Sequence, residues 1–199
     1  MEVAARILVT EDEYLERERQ EERKSEFVNG EIVAMAGGSP RHNAIAANVV
    51  RAVGNRLSGR RCIVFTSDQR IHVPATGLYT YPDASVACDG PRFLDKARDT
   101  LVNPKVLVEV LSSSTEAYDR GAKFAHYRSI PSLEEYILIL QDQMRVEHYR
   151  RIEPGQWLLT EYQGEDASVP VLGLDVPLRE IYANLDLLEA GVPESGAAE

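Results

Sequence analysis

The stretch Val106-Leu107-Val108-Glu109-Val110-Leu111 is an apolar strand with one carboxylate inside it. Apolar residues on both sides of Glu109 predict a strand that is buried on both faces, as in the centre of a sheet covered by helices. Tyr81-Pro82-Asp83 places a second carboxylate at the head of another predicted strand, residues 83–88. A buried carboxylate is unfavourable unless a cation or hydrogen bonds compensate it. If the two strands are neighbours, their carboxylates converge and predict a metal site.

Apolar periodicity around these strands predicts a chain that mixes helices and strands. Thr10 to Glu13 form a capping box, and Ser39-Pro40 and the run Ser112 to Thr115 also mark helix starts. Helices are predicted at about residues 10–24, 40–58, 116–129 and 178–188. Strands are predicted within residues 27–33, 62–65, 70–73, 83–88, 106–111, 136–140, 144–149, 157–162 and 169–172. The predicted class is α/β (α+β), a mixed β-sheet flanked by helices, with an added antiparallel hairpin that turns at Pro154-Gly155.

Length and composition indicate one domain with its own core. The chain has 199 residues, 44% of them hydrophobic. We expect a single domain over residues 1–190 and a disordered tail over residues 191–199. No apolar run reaches the roughly 20 residues of a membrane helix, and no signal peptide is evident, so we expect a cytoplasmic protein without membrane contact. Cys62 and Cys88 lack the spacing of a zinc site or a disulfide framework and are expected to be buried free thiols.

Charge is distributed unevenly along the chain. The formal net charge of -10 is unfavourable for a protein that binds nucleic acid. However, residues 1–36 hold ten acidic and five basic residues, and residues 151–199 hold ten acidic and two basic ones. Residues 37–150 therefore hold 12 acidic and 15 basic residues. This segregation permits a locally positive cleft, although ordinary solvated faces that happen to differ in charge explain it as well.

The two carboxylates suit a hard divalent cation. Mg²⁺ or Mn²⁺ keeps several waters and takes one or two protein carboxylates together with substrate phosphate. Such an ion lowers the pKa of a bound water and stabilises charge on a phosphoryl oxygen, which favours phosphodiester hydrolysis. Each motif alone has an ordinary explanation, since Asp83 stands where aspartates commonly start strands and Glu109 could pair with an arginine.

Three motifs in order make the pattern specific: Tyr81-Pro82-Asp83, then residues 108–115 (VEVLSSST), then residues 118–123 (YDRGAK). Together they resemble the Uma2 family of restriction endonucleases, a branch of the PD-(D/E)XK nuclease superfamily, over roughly residues 10–185. The resemblance implies a four-stranded mixed core sheet flanked by helices and Mg²⁺-dependent (or Mn²⁺-dependent) cleavage of DNA. It also implies that Asp83, Glu109 and the main-chain carbonyl of Val110 hold the metal.

One position departs from the superfamily pattern. That pattern expects a lysine two residues after the glutamate, on the same strand face, and this chain has Leu111 there. The resemblance implies that the lysine comes from the following helix, where Lys123 matches. Asp119, Lys123 and Tyr127 follow one another at intervals of four, which places them on one helix face. The alternative explanation of Lys123 is a surface ion pair.

Three further residues are candidates for the site. Glu26 resembles the acidic residue that precedes the first hairpin in the family and reaches the metal through water; its alternative is a charged helix end. Gln69 could line the site, or it could simply be a polar residue at a strand edge. His42 could contact phosphate near the start of its helix, or it could serve capping or packing.

Other chemistries lack support in the sequence. His72, His126 and His148 have no partners at zinc-ligand spacing, and Ser112 to Ser114 lie outside a nucleophile elbow. The leading hypothesis is an endonuclease in which Asp83, Glu109, Lys123 and Glu26 are catalytic. The alternative is a catalytically inactive nuclease fold that binds DNA or acts as a scaffold, and a third is hydrolysis of another phosphodiester. A homodimer is expected from the resemblance.

Overall fold

The computed structural model describes residues 8–188. Five α-helices and two short irregular helices occur in this range. The α-helices are α1 (Glu11–Glu18), α2 (Pro40–Leu57), α3 (Glu116–Tyr118), α4 (Phe124–Tyr127) and α5 (Leu178–Ile181). A π-helical turn, Asp119–Lys123, joins α3 to α4, and a 3-10 helix spans Leu185–Leu188.

Thirteen strands in the described range form three sheets. They are β1 (Ser25–Val28), β2 (Glu31–Ala34), β3 (Cys62–Thr66), β4 (Arg70–Val73), β5 (Leu78–Thr80), β6 (Ala84–Cys88), β7 (Thr100–Leu101), β8 (Val106–Leu111), β9 (Glu135–Leu140), β10 (Arg145–Glu153), β11 (Gln156–Gln163), β12 (Ser168–Val171) and β13 (Leu174–Pro177). The central sheet has the order β11-β10-β9-β8-β6-β3, a second has the order β2-β1-β5-β4-β7, and β12 pairs with β13.

The central sheet is mixed, as predicted. Strand β8 runs parallel to β9 and antiparallel to β6, and the β10–β11 pair is the predicted antiparallel hairpin. Side chains of β8 alternate between two cores. Val106, Val108 and Val110 face the core that contains α2, whereas Leu107 and Leu111 belong to the core that contains α4. Glu109 shares the face of Leu107 and Leu111, so it points toward the helical segment that follows β8.

The caps and turns that the local sequence predicted are present in the structure. Thr10 and Glu13 make both hydrogen bonds of the capping box at the start of α1. Asn29 and Gly30 adopt φ angles of 52° and 83°, which a tight hairpin between β1 and β2 requires. The Ser39 hydroxyl accepts a hydrogen bond from the first turn of α2. These features depend on neighbours in the chain, which is why the sequence alone predicted them.

Several predicted boundaries differ from the structure. Helix α1 ends at Glu18 instead of extending to residue 24, since residues 25–28 pair as strand β1. The helix predicted at 116–129 exists as α3, the π-helical turn and α4, and it ends at Tyr127. The closing helix predicted at 178–188 is interrupted between α5 and the 3-10 helix. The predicted tail, residues 191–199, lies outside the described residues.

The prediction of free thiols is wrong. Cys62 and Cys88 form a disulfide. The two residues lie directly opposite each other on antiparallel strands β3 and β6, with Cα atoms 4.0 Å apart. Their separation of 26 residues along the chain carries no sign of this pairing, because only the strand register brings them together.

A membrane-spanning helix is not found between residues 8 and 188, since none of the helices there is both long and apolar enough.

Candidate active site

Glu109 lies at the centre of a buried polar cluster. Its side chain, on β8, is 6% exposed, and its Oε1 atom accepts a hydrogen bond of 2.8 Å from the Tyr127 hydroxyl. Nζ of Lys123 lies 2.9 Å from the same oxygen. Burial raises the pKa of Glu109 to about 8, with the charges of Asp83 and Asp119 adding to the effect and Lys123 opposing it. A neutral carboxyl or a nearby cation therefore suits this position.

Lys123 is the cation of this cluster. It ends the π-helical turn that begins at Asp119, and π-helical turns are rare elements that often occur at functional sites. Its Nζ atom lies 3.3 Å from Oε1 of Glu26 and 3.5 Å from Oδ1 of Asp119, in addition to Glu109. Burial alone would lower the pKa of Lys123, but the three carboxylates outweigh burial and raise it well above its ordinary value. Lys123 is therefore protonated at neutral pH.

Glu26 reaches the cluster from the second sheet. It lies on β1, and the hydroxyl of Thr80, at the end of β5, donates a hydrogen bond to its carboxylate. Strands β1 and β5 are paired through Phe27 and Tyr79, which holds Glu26 and Thr80 side by side. The second sheet thus supplies one carboxylate to a site whose other members come from the central sheet and the following helix.

Asp83 lies immediately before β6, at the point where β6 separates from β8. The pairing of these strands ends at Ala84 opposite Val108, and one further residue in the same register places Asp83 opposite Glu109. Oδ2 of Asp83 accepts a hydrogen bond of 2.7 Å from the main-chain N–H of Val110. The charge of Asp83 also contributes to the raised pKa of Glu109.

His42 is the second partner of Asp83. Its Nε2 atom lies 3.2 Å from Oδ2 of Asp83, and both side chains are 16% exposed. The hydrogen bond to Asp83 raises the pKa of His42, although burial works against it. Residue 42 lies in the first turn of α2, whose start is set by Ser39 and Pro40. The imidazole thus meets a carboxylate from a different element.

The structure brings together most of the residues that the sequence pointed to. Asp83, Glu109, Lys123 and Glu26 meet at one end of the central sheet, and Leu111 is buried in the core as a hydrophobic side chain. Gln69 lies elsewhere: its amide donates to the carbonyls of Arg70 and Asp99. The run from Ser112 to Thr115 forms hydrogen bonds within itself, and the expected side-chain cap at the helix start is absent there.

Sequence reasoning did not foresee three contacts of the cluster. Tyr127 was expected on the helix face of Lys123, but its hydrogen bond to Glu109 was not. Thr80 directly precedes the Tyr81-Pro82-Asp83 motif and carries no signal of its own. The pairing of His42 with Asp83 depends on how α2 packs against the sheet, which is a tertiary relationship.

The donor set of the cluster is compatible with a hard divalent cation. Four carboxylates, those of Glu26, Asp83, Glu109 and Asp119, are accompanied by one ammonium and one imidazole. Once ionised, these four groups carry more negative charge than the ammonium and the imidazole offset, and a divalent cation offsets such an excess. Within residues 8–188, no three histidine, cysteine or acidic side chains are arranged as a complete metal cage. Mg²⁺ does not require one, since water and substrate phosphate complete its ligand shell.

Comparisons with known proteins identify relatives along most of the chain. The sequence profile of the Uma2 family, described as "Putative restriction endonuclease", matches residues 11–179. The uncharacterized protein sll1609 of Synechocystis sp. (strain ATCC 27184 / PCC 6803 / Kazusa) is 42% identical over 169 residues, which are 85% of this chain and 96% of that protein. The uncharacterized protein slr1290 of the same strain is 38% identical over 175 residues, 87% of this chain and 91% of that protein.

A crystal structure with a similar fold supports the architecture. It is described as a "putative nuclease belonging to DUF820" from Anabaena variabilis ATCC 29413, with a TM-score of 0.71 and 22% sequence identity. The superposition covers 88% of this chain and 98% of that one. At this identity the similarity demonstrates the fold, a restriction-endonuclease-like mixed sheet flanked by helices.

Proposed function

This chain belongs to the Uma2 family, and from that premise we propose that it is a metal-dependent endonuclease that hydrolyses DNA phosphodiester bonds. The observation that carries the proposal is the position of Lys123. Its ammonium lies 2.9 Å from Glu109, although the strand position two residues after Glu109 is occupied by Leu111. A lysine from the following helical segment thus stands beside the strand carboxylate, which supports the proposal.

We assign the metal ligands to the carboxylates of Asp83 and Glu109 and the main-chain carbonyl of Val110. Bound Mg²⁺ or Mn²⁺ would supply Lewis acidity toward a phosphoryl oxygen and lower the pKa of a water molecule. The protein contributes the arrangement of the ligands. The N–H of Val110 and the imidazole of His42 both contact Oδ2 of Asp83 and hold that carboxylate in place.

Lys123 has the role of orienting the attacking water and of stabilising negative charge on the phosphate. Its raised pKa keeps it positively charged, so it acts as an electrostatic and hydrogen-bonding group. Glu26 and Asp119 lie within 3.5 Å of its Nζ atom and restrict where the ammonium can go. Glu26 therefore assists the reaction by positioning Lys123 and by adding to the negative charge that attracts the metal.

DNA is the substrate that this assignment favours. The segment of residues 37–150, which contains Asp83, Glu109 and Lys123, carries more basic than acidic residues, while both ends of the chain are acidic. Basic residues of this segment attract the phosphate backbone even though the whole chain is acidic. We include a homodimer in the proposal, since a single small nuclease domain that cuts both strands of a duplex usually needs two sites, and most oligomers of identical chains are symmetric dimers.

The experiment is a cleavage assay with purified protein, supercoiled plasmid or single-stranded DNA, and Mg²⁺ or Mn²⁺. The wild type should cut in the presence of metal and not in EDTA, and Asp83→Asn should lose cutting while remaining folded. Asp166→Asn removes a carboxylate from an exposed position and serves as the matched control, which should cut normally. Cleavage that survives in Asp83→Asn would refute the assigned site.

The alternative function is a nuclease fold that binds DNA or acts as a scaffold without cutting it. Leu111 in place of the strand lysine and the net charge of -10 are the observations in its favour. This alternative predicts no metal-dependent cleavage by the wild type, with DNA binding that weakens as salt rises or no DNA binding at all. The same assay, followed by DNA binding in EDTA at two salt concentrations, separates the two functions.

A further inference from the structure

A cavity lies at the other end of the central sheet, away from the candidate active site. Its lining includes Lys105, just before β8, and Cys88, at the end of β6. Lys105 precedes Glu109 by four residues of extended chain, or about 13 Å. The cavity has a volume of about 880 Å³, which falls within the range of small-molecule sites.

The wall of this cavity contains a buried imidazole with an unsatisfied nitrogen. His148, on β10, is 2% exposed and lines the cavity. Its Nε2 atom has no hydrogen-bond partner within the described residues, although it lies 3.4 Å from Oε2 of Glu135. Glu135 is itself engaged, since its carboxylate accepts hydrogen bonds of 3.0 and 3.1 Å from the main-chain N–H of Leu172. His148 therefore brings a buried imidazole, in ion-pair range of Glu135, to the wall of the cavity.

Basic side chains outnumber acidic ones around the cavity. The basic residues of the lining are Arg60, Arg61, Lys105, Arg150 and Arg151, and the acidic ones are Asp89, Glu134 and Glu135. Lys105 pairs with Glu134 at 3.0 Å, and Arg61 lies 3.9 Å from Asp89. Three arginines of the lining, Arg60, Arg150 and Arg151, are not part of these two pairs.

The three remaining arginines are not neutralised by carboxylates. Within residues 8–188, no acidic side chain lies in ion-pair range of Arg60, Arg150 or Arg151. Arg60 donates to the main-chain carbonyl of Leu172 in the cavity wall. The Arg151 guanidinium is engaged by the carbonyls of Arg128 and Ile130 and lies over the ring of Trp157, so it is not counted here. The cavity therefore has the uncompensated positive charge of Arg60 and Arg150.

We propose that this cavity binds a small phosphate-bearing anion of about the size of a nucleotide. Guanidinium groups match phosphate oxygens with paired hydrogen bonds, which makes arginine the preferred residue for such ligands. The volume leaves room for a group attached to the phosphate. The site is separate from Asp83 and Glu109 and does not depend on nuclease activity.

Calorimetric titration of the full-length protein in EDTA tests this proposal. The probes are inorganic phosphate, pyrophosphate and ADP, and the variant is Arg60→Gln combined with Arg150→Gln, both at exposed positions. Arg23→Gln combined with Arg92→Gln changes the net charge equally at exposed positions outside the cavity. We expect the wild type and this control to bind at least one probe saturably. The cavity variant should bind that probe with an affinity lower by about tenfold or more.

Several outcomes would overturn the proposal. One is the absence of saturable binding of all three probes to the wild type. Another is equal affinity in the cavity variant and the control, which would place the anion elsewhere. Loss of DNA binding in the cavity variant, without binding of the small anions, would assign this surface to a nucleic acid instead. Asp83→Asn should bind the probes like the wild type, and weaker binding by that variant would place them at the candidate active site.

Discussion

The Nζ atom of Lys123 lies 2.9 Å from Oε1 of Glu109, and the two residues belong to different elements. Glu109 is inside β8, while Lys123 ends the π-helical turn that follows it. The ammonium partly neutralises Glu26, Glu109 and Asp119.

Substitution of Lys123 by methionine should separate its contribution to cleavage from its effect on metal binding. Lys123→Met keeps most of the apolar stem and removes the charge, so we expect cleavage to fall by about 10² to 10⁴. The same variant should gain more thermal stability from Mn²⁺ than the wild type does, because an uncompensated buried carboxylate cluster attracts the ion more strongly. Plasmid cleavage and thermal unfolding with and without Mn²⁺ measure both effects.

Lys96→Met is the matched control for that experiment, because Lys96 is exposed and lies in the loop before β7. It should cleave DNA and respond to Mn²⁺ like the wild type. A folded Lys123→Met protein that cuts DNA at the normal rate would show that this lysine has no role in the reaction.

Metal affinity should depend on pH through Glu109. Burial raises the pKa of this carboxyl to about 8, so it is mostly protonated at lower pH and must lose its proton before it can bind a cation. Affinity for Mn²⁺ should therefore rise with pH, by up to about tenfold per pH unit, and level off above pH 8. Calorimetric titrations across this range measure the dependence. Glu109→Gln should bind weakly at every pH, while the exposed control Glu161→Gln should follow the wild type.

The Cys62–Cys88 disulfide should stabilise the fold. It closes a loop with a sequence separation of 26 residues, for which restriction of the unfolded chain contributes about 3 kcal/mol. We expect the double variant Cys62→Ser and Cys88→Ser, or the reduced wild type, to lose about 2 to 4 kcal/mol in the free energy of unfolding. Urea denaturation with and without reductant measures this loss. If unfolded, unreduced protein shows two reactive thiols, the disulfide is absent and the prediction fails.

Asp99 should stabilise the protein at neutral pH but not in acid. Burial would raise the pKa of Asp99, but the hydrogen bond from Arg19 and the charge of Arg70 outweigh it and lower the pKa to about 2. Because the folded-state pKa lies below the ordinary value of 3.8, this contribution is present above about pH 4 and is lost as the pH falls toward 2.

Asp99→Asn should therefore lower the free energy of unfolding by about 1 kcal/mol at pH 7, after allowance for solvent screening of a carboxylate that is one-third exposed. The difference in the free energy of unfolding between the variant and the wild type should shrink in acid. Unfolding curves of the variant and the wild type at several pH values test this, and a deficit that stays constant down to pH 2 would contradict the assigned ion pairs.

Local sequence determined much of the secondary structure. The capping box of α1, the Asn29-Gly30 turn and the Ser39-Pro40 helix start each involve residues a few positions apart, and each formed as predicted. The apolar run of β8 predicted a central strand, because only a strand covered on both faces can bury that many apolar side chains. The π-helical turn was not predicted, since its pattern of residues resembles that of an ordinary helix.

The sequence by itself determined which groups are available: two carboxylates on apolar strands, a lysine on the next helix and an acidic residue before the first hairpin. Their order matched the Uma2 family and indicated the fold. Only the tertiary structure decided which groups meet. Strand register set Cys62 opposite Cys88 and Asp83 next to Val110, and helix packing brought His42 to Asp83. Such contacts join residues far apart in the chain, so their energies depend on the packing of whole elements and leave no local pattern.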